Sequence, residues 1–76
     1  MEEFLRFVLT QLVDAPEDLV ISHGRIEKKD VFRIAARKSD IPRIIGRDGH
    51  TIQAIRSLLD AAAKKHGGKA VLEIIE

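Results

Sequence analysis

The 76-residue chain has room for one hydrophobic core, so residues 1–76 are expected to form a single domain. Its 45% apolar and 33% charged residues suit a globular chain and exclude a disordered one, and the absence of cysteine excludes disulfides and thiolate metal sites. Net charge is only +1, which by itself does not single out a polyanionic partner.

The distribution of charge says more than its sum. Residues 1–32 carry four basic and seven acidic side chains, whereas residues 33–56 carry six basic and two acidic ones. The opening "MEEFLRF" places glutamates where a secretory leader would place basic residues, and no apolar run approaches the ~20 residues that span a bilayer. A cytoplasmic protein without membrane contact is expected.

In chain order, Phe4, Leu5, Val8, Leu9, Leu12 and Val13 recur at helical spacing and predict an amphipathic helix ending near Asp14, before Pro16. Leu19–Ile26 is short and β-branched and reads as a strand. Glu27–Asp30 reads as a polar turn. Val31–Lys38 alternates, with Phe32, Ile34 and Ala36 on one face and Arg33 and Arg37 on the other, so the two strands should pair as an antiparallel hairpin. "SDIP" opens a short helix, capped by Ser39 or Asp40, with Pro42 at an early position where its missing N–H does no harm. A longer helix begins around Gly49–Thr51. It buries Ile52, Ile55, Leu59 and Ala62, and ends at His66-Gly67-Gly68. Lys69–Ile75 is a last strand. The order α-β-β-α-α-β predicts an α+β fold, a three-stranded sheet with its helices packed on one face. Arg33, Arg37, Val71, Glu73 and Ile75 are expected on the other.

The chemistry concentrates at Gly46 and Gly49, two glycines joining two helices. They let the backbone turn tightly and approach a ligand. The following helix start aims free N–H groups and a partial positive charge into the turn, where phosphate is the usual ligand. Arg47 adds a charge at the tip. Asp48 opposes phosphate, unless it serves to cap the second helix. A phosphate loop of the Walker type is excluded because no Gly-Lys-Ser/Thr follows.

The run Ile44-Ile45-Gly46-Arg47-Asp48-Gly49-His50-Thr51-Ile52 resembles the I-I-G-x-x-G-x-x-I core of KH domains, whose GXXG loop clamps about four nucleotides. Element order and length together resemble the small bacterial KhpA family of single type II KH domains. That resemblance implies a non-catalytic, single-stranded RNA-binding protein active in RNA regulation, of the chaperone type, linked to cell shape and division. It implies a groove in which Gly46, Arg47, Asp48, Gly49 and His50 meet the backbone and Ile45 and Ile52 form an aliphatic floor. Arg33, Arg37, Arg43 and Arg56 would supply the surrounding field. It also implies a homodimer, or a pairing with a larger KH protein of the Jag/KhpB type. No cofactor, metal or small-molecule substrate is implied. His23, His50 and His66 show no ligand spacing, and no nucleophile–base arrangement is visible, so an enzyme is the least favoured class. The rival reading is a protein-interaction module, using sheet edges or an apolar patch around Val20, Val71 and Ile75.

Overall fold

The computed structural model describes residues 1–75. The first helix, α1 (Glu2–Leu12), buries Leu5 and Leu9 completely, and Glu2 and Glu3 sit in its first turn, where the helix dipole favours them. Phe4 and Phe7 face solvent, 42% and 66% exposed, so the buried stripe is narrower than the sequence suggests. The helix stops at Leu12, two residues before the expected end, because Val13 is already extended. A single 3-10 turn at Pro16–Asp18 leads into the sheet.

Strands β1 (Val20–Ile26) and β2 (Lys29–Ala35) form the antiparallel hairpin, in register from Val20–Ala35 to Ile26–Lys29. Its loop is Glu27 and Lys28 alone, with Glu27 at φ 56. The expected turn at Glu27–Asp30 is therefore too long. Polar Lys29 and Asp30 look like loop but belong to the ladder, because the buried Asp30 carboxylate lies 2.8 Å from His23 Nε2 and the His23 ring stacks on Phe32 at 4.3 Å. Strand β2 ends at Ala35 rather than Lys38, and a 3-10 turn at Lys38–Asp40 follows.

Strand β3 (Lys69–Ile74) pairs with β2 in parallel, giving the order β1-β2-β3 with β2 central. A parallel neighbour demands a crossover. Two helices supply it, α2 (Ile41–Ile45) and α3 (His50–Lys64). Ile44, Ile52, Ile55 and Leu59 from these helices join Leu5, Leu9, Phe32, Ile34 and Leu72 in one core. Alternation sends Arg33, Val71 and Glu73 to the opposite sheet face, as expected, and Val31 with them, whereas Arg37 and Ile75 lie beyond the ends of β2 and β3. Among the described residues, no helix is long and apolar enough to cross a membrane.

Asp40 does not cap α2 with its side chain. Its carboxylate, 1% exposed, accepts the backbone N–H groups of Asp14 at 3.1 Å and Ala15 at 3.0 Å, with Arg43 Nε at 3.8 Å. It thus ties the end of α1 to the start of α2. The Asp14 amide above all, then the Ala15 amide and the charges of the Arg43 and Arg37 guanidiniums, hold its pKa below the usual 3.8, against the opposing effect of burial. A depressed folded pKa stabilises the fold fully above the ordinary aspartate value, and that stability is lost as pH falls through the folded pKa. Asp40→Asn leaves one of the two amides without an acceptor. Thermal melts followed by circular dichroism should show the variant less stable than wild type at neutral pH. The gap should narrow as pH falls below the ordinary aspartate value and Asp40 in the wild type protonates.

Candidate nucleic-acid interface

Helix α2 ends at Gly46, whose φ 77 and ψ 174 lie in a region essentially reserved for glycine. A Cβ there would stand 2.1 Å from Thr51 Oγ1 and 2.5 Å from Thr51 Cβ. Gly46 is thus dictated by the chain's own packing, the approach of α2 to the first turn of α3. The expectation that it opens space for a sugar-phosphate backbone needs correcting. Gly49 differs. It is left-handed at φ 76, yet a Cβ would meet nothing within 4 Å, so this end of the turn faces open space.

Between them, Arg47–Gly49 makes one 3-10 turn, closed by Gly49 N–H donating to Gly46 O at 3.1 Å and His50 N–H donating to Arg47 O. Asp48 is left-handed at φ 54, ψ 25, a conformation that aspartate tolerates better than most residues. Its side chain does not cap α3, because Gly49 holds the N-cap position. Asp48 is one residue too early to serve. Arg47, Asp48 and His50 are exposed.

The remaining candidates divide sharply. Ile52 is 5% exposed, packs in the core and does not line the cleft beside the loop. Ile45 is half-buried and lines a cleft of about 480 Å³ with Ala36, Lys38, Ile41, Pro42 and Ile75. Sequence pattern alone does not place Lys38 and Ile75 in the loop-side groove. Lys38 carried only its share of the basic segment's charge, and Ile75 read as part of the open sheet face. A second groove, of about 430 Å³, follows β3 beside α3 and includes Arg56, Asp60 and Lys69.

Four of the five candidate arginines, Arg33, Arg37, Arg43, Arg47 and Arg56, are engaged. Arg43 pairs with Asp14 at 3.0 Å, and Arg37 with Asp18 at 3.1 Å and Glu17 at 3.9 Å. Arg56 donates to Leu72 O at 3.2 Å, bridging α3 to the outer edge of β3. Arg33 lies 4.0 Å from Glu73 on the sheet face turned away from the helices. Arg47 alone of the five has no ion-pair or hydrogen-bond partner among the described residues.

The family description "KhpA/KhpB, KH domain" matches residues 2–74. The chain belongs to that family. It is 38% identical over 76 residues to the RNA-binding protein KhpA of Chlamydia pneumoniae, covering all of this chain and 97% of that one. It is equally similar to RNA-binding protein KhpA of Listeria monocytogenes serovar 1/2a, over the full length of both. RNA-binding protein KhpA of Bacillus subtilis is 32% identical, with 94% of it covered. No solved structure matches at a significant level.

The two glycines should therefore respond differently to substitution. Gly46→Ala introduces both the Thr51 collision and a forbidden backbone, and is expected to lower stability by about 1–3 kcal/mol. Gly49→Asn keeps a left-handed residue in open space and should change stability by less than about 1 kcal/mol. Urea unfolding of the two variants measures the contrast.

Proposed function

We propose that this protein binds single-stranded RNA, without catalysis, by holding the sugar-phosphate backbone at the Gly46–Gly49 turn. The observation that carries this reading is the turn itself. An Arg47 with no ion-pair partner among the described residues and the N-terminus of a 15-residue helix converge there, beside a glycine with free space in front of it. Such an assembly of donors favours phosphate. Bases would rest in the cleft floored by Ile45, Ile41 and Ile75, with Lys38 at its rim. Three phenylalanines and no tyrosine or tryptophan make ring stacking a minor device. Membership of a family whose relatives are named RNA-binding proteins supports the same ligand. The cellular role that follows is a cytoplasmic post-transcriptional regulator or RNA chaperone.

A second reading, pairing with another KH chain, is favoured by the exposure of Phe7, Ile26 and Leu58, at 66%, 68% and 56%. It is compatible with RNA binding. Light scattering across a concentration series tests it, a monomer at all concentrations ruling out self-pairing.

Labelled single-stranded RNA, titrated at two salt concentrations with matched DNA alongside, tests the main reading. Arg47→Glu should weaken RNA binding tenfold or more, the loss of a charge-assisted contact of about 1.5–3 kcal/mol, with an unchanged melting temperature. Asp48→Asn retains tolerance of the left-handed backbone while removing the repulsion, and should tighten binding by up to about fivefold. RNA affinity unaffected by Arg47→Glu in a folded variant would overturn the loop assignment.

A further inference from the structure

At the end of α3 away from the Gly46–Gly49 turn, about 22 Å along the helix at 1.5 Å per residue, two other turns meet. One is the β1–β2 turn at Glu27 and Lys28. The other is the α3–β3 turn through Gly67 and Gly68. They are fastened backbone to backbone: Lys69 N–H donates to Lys28 O at 3.0 Å, and a Cβ on Gly68 would stand 2.6 Å from that same oxygen. The contact fixes the lysines around it. Lys29 and Lys69 are direct ladder partners on neighbouring strands, and Lys28 is next in the chain. Like charges side by side in a sheet are unfavourable. Nevertheless Lys28, Lys29 and Lys69 have no carboxylate within ion-pair distance among the described residues. Nearby acidic groups are Glu27 in the same turn, Asp30, which pairs with His23 at 2.8 Å, and Asp60, which pairs with Lys64 at 3.0 Å and also feels the charge of Lys69. A hollow of about 470 Å³ lies among these lysines and Gly67. Lys69 is shared with the groove that follows β3, and Ile75, just past the far end of that strand, lines the cleft beside Ile45.

The geometry points to a second phosphate-contacting site, formed by Lys28, Lys29 and Lys69, that takes the continuation of an RNA strand whose first part is held at the Gly46–Gly49 turn. This rests on the RNA reading above and extends it from a four-nucleotide clamp to a longer track running beside β3. Rigidly presented like charges lose their mutual repulsion when phosphates come between them. The site reads no sequence, because lysine meets phosphate as a point charge.

The test compares oligouridines of about four and about twelve nucleotides, by fluorescence anisotropy at several salt concentrations. Wild type is set beside the triple variant Lys28→Gln, Lys29→Gln, Lys69→Gln and beside Arg47→Glu. Wild type should bind the longer RNA more tightly and with a steeper salt slope. The triple variant should keep wild-type affinity for the short RNA and lose most of the gain on the long one, its slope shallower by about 2, at ~0.7 per phosphate contact. Replacing the three lysines by arginine should preserve the gain. Should the triple variant melt early, Lys28→Gln alone gives the same comparison, with a slope change of ~0.7. Equal binding of the long RNA by wild type and triple variant overturns the site. Arg47-dependent binding of the short RNA with no gain from length overturns the site but leaves the loop reading standing. No binding of either length by folded wild type overturns both. Lysine-dependent binding to phosphatidylserine vesicles, with long-RNA binding unchanged in the triple variant, assigns the patch to a membrane surface and overturns the proposal.

Discussion

The geometry of the candidate site depends on the contact between Gly46 and Thr51. Helix α2 has only five residues, too few to hold an orientation by its own hydrogen bonds. It is fixed at both ends instead. At its start, Asp40 receives the amides of Asp14 and Ala15. At its end, the bare backbone of Gly46 lies against the side chain of Thr51 in α3. With the corner closed that tightly, Arg47, Asp48 and Gly49 have no room inside and project outward. The turn is presented to solvent by contacts that belong to its neighbours, which is how a short polar loop acquires a defined shape.

Electrostatics follows from how the chain folds on itself. The acidic first third and the basic middle are separate in sequence but meet in space. Asp14, Glu17 and Asp18, from the segment joining α1 to β1, partner Arg43 and Arg37. These exposed pairs add little to stability. Their larger effect is on the field, since they remove two cations from the surface offered to a polyanion and leave Arg47 and Lys38 nearest the turn. Charge counted along the sequence therefore overstates the positive potential that a ligand meets.

Much of the fold was legible because the apolar periods are strong. Leu5 and Leu9 in α1, and Ile52, Ile55 and Leu59 in α3, follow helical spacing, and Phe32 and Ile34 alternate in β2. Polar residues with distant partners were not legible. Asp30 reads as turn until His23, seven residues earlier, is seen to receive it across the hairpin. Asp40 reads as a helix cap because its partners lie 25 and 26 residues away. At the site, the glycine pair and Arg47 stood out by residue type and spacing, but the floor was misassigned. Ile52 already belonged to the apolar stripe of α3, and a side chain committed to the core is unavailable to a ligand. The cleft residues Lys38 and Ile75 come from different strand ends, which only the parallel pairing of β2 and β3 brings together.

That parallel pairing also shapes how the molecule assembles. Val31 and Val71 are ladder neighbours separated by 40 residues, whereas β1 meets β2 across a two-residue turn. Loop-closure entropy favours the hairpin first and makes the docking of β3 the slow, non-local event. Until β3 arrives, the edge of β2 that carries Phe32 and Ile34 stands unpaired and able to template pairing with another chain. Once β3 has docked, Arg56 reaches across to the Leu72 carbonyl and occupies part of the new outer edge. The hydrogen bond that bridges α3 to β3 therefore also works as a gatekeeper, limiting further strand addition on the side of the sheet that is completed last.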